Sequence, residues 1–278
     1  MKNSSKLRKL FFVLFFCPIF SAAASGKDIT MTILYDNYKH QEDLQTDWGF
    51  SCYIEGTEKT ILFDTGTKGD VLKSNADKLG IDLGKVDAVV LSHKHRDHTG
   101  GLEPVMRVNK GDPVYMCQSF PQDLFDLVKD NNLVPVSVKE PVKICQHVYS
   151  TGEIDGPVNE QGLIIETEPG LVVIVGCSHP GIVKIVKKAK EITGKNVYLV
   201  FGGFHLLRTS EADITGIIKD LKALGVKKCG ATHCTGDKAI QMISDAFGDN
   251  YIPMGAGKVL KVNAQKVSAE KEKAESKL

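Results

Sequence analysis

Short apolar runs alternate along the chain with segments whose apolar residues recur at helical spacing, and most of the runs end in a polar loop. Residues 29–35 are rich in β-formers and predict a strand closed by Asp36-Asn37. Residues 48–54 and 60–63 predict paired strands with a turn at Glu55-Gly56-Thr57-Glu58. Residues 70–79 put Val71, Leu72, Ala76 and Leu79 on one helical face. The run 86–91 reads as a buried strand, followed by a short helix to about residue 108, a strand at 114–116 and a helix at 122–129. The pattern then weakens: 134–138 and 142–145 are β-like, and the polar stretch 151–162 predicts irregular hairpins. Residues 163–166 and 170–175 pair naturally as a hairpin. The next helix carries Ile182, Ile185, Val186, Ala189 and Ile192 on its core face, and its lysines form a solvated face. A strand at 197–201 leads to a helix opened by Ser210 with Asp213 three residues on and closed by Gly225. A strand from 228 and a helix over 237–247 complete an α/β order.

The two ends depart from this pattern. Lys2, Lys6, Arg8 and Lys9 precede an apolar stretch over 10–20 and the small residues Ala22-Ala23-Ala24, the arrangement of a secretory signal peptide over residues 1–24. The apolar stretch is too short to span a bilayer comfortably. Residues 25–265 then form one domain, and 266–278, charged and nearly free of large apolar groups, form a loose tail. The protein is expected to be exported, periplasmic or secreted, with no membrane contact once the leader is removed. The full chain of 278 residues has a net charge of +1; without the leader, 31 basic groups face 34 acidic ones, a balance that argues against nucleic acid as partner. Six cysteines remain after the leader: Cys52, Cys117, Cys145, Cys177, Cys229 and Cys234. Export permits disulfides, but the pairing is not legible, and the absence of a CxxC pair argues against a zinc knuckle.

Chemistry concentrates where apolar strands stop. The run 86–91 delivers Ser92-His93-Lys94-His95-Arg96-Asp97-His98-Thr99-Gly100-Gly101. Neutral imidazoles and a carboxylate suit zinc, iron or manganese. His93 and His95 can point the same way from an extended backbone, whereas the adjacent Asp97 and His98 favour a second direction and a second ion. Three further strands end in His179, His205 and His233, so six of the eight histidines sit at strand ends, which converge along one edge of an α/β sheet. Asp64, at another strand end beside Gly66, can orient a histidine by hydrogen bonding, although taken alone it reads better as a turn residue. His147 reads as a surface or packed histidine. Cys177 and Cys234, next to ligand candidates, read as small apolar packing groups rather than ligands.

Asp64-Thr65-Gly66, His93-Lys94-His95-Arg96-Asp97-His98, His179 and His233 together resemble the metallo-β-lactamase superfamily. Asp36-Asn37, Gly49-Phe50-Ser51, Gly176-Cys177-Ser178-His179-Pro180-Gly181, Gly202-Gly203-Phe204-His205-Leu206 and Thr232-His233-Cys234-Thr235-Gly236 resemble one branch, the metal-dependent hydrolases grouped with dihydropterin ribofuranosylaminobenzene phosphate synthases. The resemblance spans about residues 29–262. It implies an αββα sandwich, two mixed β-sheets flanked by helices. It implies one metal site on His93, His95 and His179 and another on Asp97, His98 and His233. The superfamily usually bridges the two ions with an aspartate; here the matching strand end carries His205, and a neutral imidazole has one free lone pair and cannot bridge in the same way. His205 binds one ion, or contacts substrate, or a more distant carboxylate takes the bridge.

The resemblance further implies divalent metal, two ions rather than one, with zinc ahead of iron and manganese. Metal-activated hydroxide would attack a small phosphoester, phosphodiester, lactone or related substrate. Asp97 would orient the nucleophile or shuttle a proton, and His205 would donate a hydrogen bond to the developing anion. The amides of Thr99-Gly100-Gly101 and Ser178-Pro180-Gly181, each ahead of a predicted helix, offer a hold for an anionic substrate group. The competing class is a metal-holding binding or sensing protein without turnover. A di-iron redox role would call for an attached flavin domain, for which this length leaves no room.

Overall fold

A computed structural model describes residues 28–265; the predicted leader (1–24) and tail (266–278) lie outside the described residues. Thirteen strands are described: β1 (Asp28–Tyr35), β2 (Ser51–Glu55), β3 (Ile61–Phe63), β4 (Ala88–Val90), β5 (Pro113–Cys117), β6 (Val134–Val138), β7 (Val142–Cys145), β8 (Val148–Ser150), β9 (Leu163–Thr167), β10 (Gly170–Val175), β11 (Val197–Gly203), β12 (Lys228–Thr232) and β13 (Val259–Asn263). The α-helices are α1 (Gly69–Lys78), α2 (Arg96–Thr99), α3 (Glu103–Val108), α4 (Gln122–Asp130), α5 (Ile182–Thr193), α6 (Glu211–Ala223) and α7 (Asp237–Phe247).

The strands form two mixed sheets, ordered β13-β1-β2-β3-β4-β5-β6 and β12-β11-β10-β9-β8-β7. Strand periodicity shows how they stack. In β10, Val172 and Ile174 enter the core shared by both sheets, while Leu171, Val173 and Val175 face α5, α6 and α7. In β3 and β4, Ile61, Phe63, Ala88 and Val90 join that same inter-sheet core, and Leu62 and Val89 face the layer containing α1, α3 and α4. Near-continuous apolar strands are thus buried on both faces. The expected sandwich is observed: helices, sheet, sheet, helices.

The predicted elements are present, with shifts at loops. The short helix expected after the histidine loop is α3, and the loop itself adds one helical turn, α2, separated from it by Gly100-Gly101-Leu102. The region of weak pattern divides between the sheets: β6 runs parallel to β5, whereas β7 and β8 form a hairpin that joins β9. The capping signals act as read. Ser210 Oγ accepts from the Asp213 amide at the start of α6, and Gly225, just past its end, adopts φ 79°. Among the described residues no helix is long and apolar enough to cross a membrane.

Candidate metal centre

Parallel pairing aligns the C-terminal ends of β3 and β4 in one sheet and of β10, β11 and β12 in the other. The loops leaving these ends meet at one edge of the sandwich. Their close approach requires glycine at Gly176, where a Cβ would stand 2.1 Å from Ser92 Oγ and 2.9 Å from Asp64 Oδ2. Backbone strain gathers in the same place. Asp64, Ser178, His205 and His233 adopt φ of 55°, 62°, 55° and 52°, four of the six non-glycine residues described with positive φ, a region uncommon for side-chain-bearing residues.

The six predicted ligands fall into two adjacent groups. His93, His95 and His179 form one, with ligand atoms within 4.8 Å of one another. Asp97, His98 and His233 fall in the other, together with Cys177. The rings of His93 and His98, one from each group, have centroids 4.2 Å apart.

Hydrogen bonds on one ring nitrogen fix where the other points. His93 Nδ1 lies 2.9 Å from Ser92 Oγ, which itself donates to Asp64 Oδ2 at 2.7 Å. His98 Nδ1 donates to the same Asp64 oxygen at 2.7 Å. His233 Nδ1 donates to Asn37 Oδ1 at 2.8 Å. Each bond turns Nε2 toward the cluster, where His93 Nε2 lies 3.1 Å from His95 Nδ1 and His98 Nε2 lies 3.3 Å from Cys177 Sγ. The Nε2 atoms of His179 and His233 are buried without a hydrogen-bond partner, and His233 Nε2 lies 3.3 Å from Asp97 Oδ2 without the alignment of a hydrogen bond. Buried imidazole nitrogens are ordinarily satisfied, so this donor set fits a dication that would accept their lone pairs.

Proton affinities divide the two groups. Burial, reinforced by the neighbouring imidazoles, pulls His93 well below the usual histidine range. Burial also lowers His95 and brings His179 to about 4. These three are neutral at pH 7, as metal ligands must be. His98 goes the other way: burial opposes its charge, but Asp64 and Asp97 outweigh it and lift the ring to about 10. Asp97 is burdened by burial, yet His233 and His98 hold it far below the usual carboxylate range.

Sequence reasoning found the histidines, Asp97 and the orienting role of Asp64. It missed Glu160, fully buried in the stretch read as irregular hairpins. Glu160 Oε1 accepts the amides of Cys177 and Ser178 at 2.9 and 2.8 Å, and Oε2 accepts that of His179 at 2.8 Å. Burial lifts this carboxyl to about 7 despite the three donors. A lone glutamate in a polar stretch carries no signal for such a role. The partnership of Asn37 with His233 was visible only as a motif at a strand end.

One expectation needs correction. The glycine-loop amides are already engaged: Gly100, Gly101 and Gly181 donate to Arg96, Gly66 and Ser178 carbonyls, and Ser178 donates to Glu160. They form no anion cradle. Cys177 and Cys234 are buried, as expected of small packing groups, but their sulfurs also face donors. Cys177 Sγ lies 3.3 Å from His98 Nε2, and both thiols share a third ligand-type group with His205. Burial pushes the Cys177 thiol upward.

His205 joins neither imidazole-rich group and falls with Cys177 and Cys234 in the third. Its ring is exposed, with its centroid 4.2 Å from that of His179. Both rings line a cleft of about 200 Å³ walled by Ile182, Val183, Phe204, Leu206 and Ile217. Among the described residues, Asp97 is the only carboxylate in any of the three groups. His147 pairs with Glu166 at 2.9 Å and is half-buried, as a packed histidine would be. All six described cysteines are free.

Comparison with known proteins agrees with this architecture. The family model of the metallo-β-lactamase superfamily matches residues 49–186. The 7,8-dihydropterin-6-methyl-4-(β-D-ribofuranosyl)-aminobenzene-5'-phosphate synthase of Methanocaldococcus jannaschii is 33% identical over 279 residues, covering 83% of this chain and 95% of that protein. The crystal structure of Tm1679, described as a metal-dependent hydrolase of the β-lactamase superfamily, is similar with a TM-score of 0.71 and 28% identity, covering 84% of this chain and 99% of that one. The metallo-β-lactamase fold protein YhfI of Bacillus subtilis, at 15% identity, shares the fold with a TM-score of 0.64, covering 84% of this chain and 99% of its own. The chain therefore belongs to the metallo-β-lactamase superfamily, in the branch of the dihydropterin ribofuranosylaminobenzene phosphate synthase-like proteins.

Proposed function

We propose that this chain is an exported metallo-hydrolase acting on a small phosphoester, phosphodiester, lactone or related electrophile. The observation that carries the reading is the pair of adjacent ligand groups, in which buried Nε2 atoms of His179 and His233 have no protein partner. Divalent ions, two by donor count, with zinc ahead of iron and manganese, would supply Lewis acidity and a nucleophile at neutral pH. His93, His95 and His179 would hold one, and Asp97, His98 and His233 the other. Asp64 and Asn37 keep the Nε2 atoms of His98 and His233 turned inward. Asp97, ionised and half-buried, is suited to orient the nucleophile or take its proton. His205, exposed at the cleft, is suited to donate a hydrogen bond to charge developing on the substrate.

Export rests on the leader pattern of residues 1–24. The M. jannaschii relative is named for a product that carries a phosphate ester, which supports keeping phosphate-bearing molecules among the candidates. An exported protein would seldom meet a biosynthetic intermediate, so the same reaction is not proposed here. The test is metal analysis of the purified protein, then turnover on phosphodiester, phosphomonoester, lactone and β-lactam panels. Turnover that disappears in His95→Ala supports the reading, and turnover that survives there refutes it. Fractionation of cells producing the full chain tests export: recovery of the cleaved form outside the cytoplasm is expected, and uncleaved protein in the cytoplasm would contradict it.

A further inference from the structure

Asp97, His98 and His233 supply one oxygen and two nitrogens, one donor short of the four a tetrahedral ion takes. His205 does not complete the set, because it joins neither imidazole-rich group. The atom that does lie there is Cys177 Sγ, within 4.8 Å of all three other ligand atoms. Three of the six donor spacings match a coordination shell, and the other three lie within 4.8 Å. Bonds of about 2.0–2.3 Å around a tetrahedral centre set neighbouring donors roughly 3.3–3.6 Å apart. Cys177 Sγ to His98 Nε2 is 3.3 Å, His98 Nε2 to Asp97 Oδ2 is 3.5 Å, and His233 Nε2 to Asp97 Oδ2 is 3.3 Å. His233 Nε2, 1% exposed as a residue and without a hydrogen-bond partner, is aimed into the same space. The backbone that carries the thiol is held in place, since the Cys177 amide donates to Glu160 at 2.9 Å.

We infer that Cys177 is a sulfur ligand of the ion held by Asp97, His98 and His233, making that position a Cys-Asp-His-His site. The inference rests on the two-site reading above. It also selects the metal. A soft thiolate favours zinc or iron and disfavours manganese and magnesium at this position. On binding, the thiol proton is released to solvent as the sulfur–metal bond forms, with no change of oxidation state. Cys234, whose sulfur shares the third group with Cys177 and His205, lies outside the proposed shell. It is the residue with which Cys177 would otherwise pair.

The test is spectroscopic and uses the full chain. Metal-free protein, kept reduced, is titrated with cobalt(II), and the zinc form is examined by X-ray absorption. Expected are two cobalt equivalents, a sulfur-to-cobalt charge-transfer band in the near ultraviolet, and a zinc–sulfur distance of about 2.3 Å beside zinc–nitrogen distances of about 2.0 Å. Cys177→Ser should lose the band and bind the second equivalent at least tenfold more weakly, while Cys234→Ala keeps the band. Two equivalents with no sulfur signature would overturn the sulfur ligand and leave the hydrolase reading standing. A band lost only in Cys234→Ala would move the ligand and overturn the assignment to Cys177. No sulfur signature, together with two fewer titratable thiols before reduction than after, would mean that Cys177 and Cys234 pair with each other, which also overturns it. Failure to bind cobalt at all would sink both readings. The absorption measurement needs no variant, so it decides even if Cys177→Ser does not fold.

Discussion

The two ligand groups lie side by side yet are built differently. His93, His95 and His179 are all neutral imidazoles whose proton affinity is lowered; His95 and His179 are only half-buried, and His179 lines the cleft. In the other group, His98 and His233 are buried and braced by Asp64 and Asn37, with Asp97 charged beside them. An ion on three neutral ligands keeps its full double charge, whereas Asp97 offsets part of it in the second group. With both groups loaded, the more electrophilic position would be the one that includes His179 beside His205 and the cleft, and the buried position would be the better anchored.

The largest effect is expected where that contrast is removed at the open group. His179→Ala should lower turnover about a thousandfold, some 4 kcal/mol of transition-state stabilisation, while one equivalent of metal is retained. Steady-state kinetics with metal analysis reads both. Loss of both ions would show that the groups are not independent. Next comes the brace of the buried group. Asp64→Asn leaves the ligands intact but should weaken the second ion about 10–100-fold, with the first nearly unchanged, as chelator competition would show. Equal weakening of both would mean that Asp64 supports the whole edge of the sandwich.

Much of this contrast was legible before any coordinates. Apolar strands ending in His93, His179, His205 and His233 announce a shared edge, because parallel strands bring their C-terminal ends together. Asp64 was visible for the same reason. The direction of Cys177 was not. Ser178, between Cys177 and His179, takes a left-handed backbone at φ 62°, which breaks the alternation that would assign sides from spacing. Glu160 was hidden because its partners lie on a different loop, after β10, and nothing in a polar stretch marks which side chain turns inward. The supposed anion cradle failed for a related reason: sequence shows that glycine amides exist, not that Gly66, Arg96 and Ser178 carbonyls already take them.

Smaller effects sharpen the comparison. Glu160→Gln would set an amide NH₂ against backbone N–H groups of residues 177–179 and should cost about 1–3 kcal/mol, read as a lower urea midpoint of the metal-free protein. An unchanged midpoint would mean that the loop is held by other contacts. The pH dependence separates the groups without mutation. His98 is raised from 6.5 to about 10 in the folded protein, so its contribution to stability is complete below pH 6.5 and is lost as pH climbs through 10. Melts of metal-free protein should show that loss between those limits. The loaded protein, with His98 a neutral ligand, should not show it.

The central claim is that two ions share this edge of the sandwich. Calorimetric titration of metal-free, full-length protein with zinc addresses it directly. Two equivalents bound per chain, with protons released as ligands are taken up, is the predicted result. One equivalent or none would contradict it.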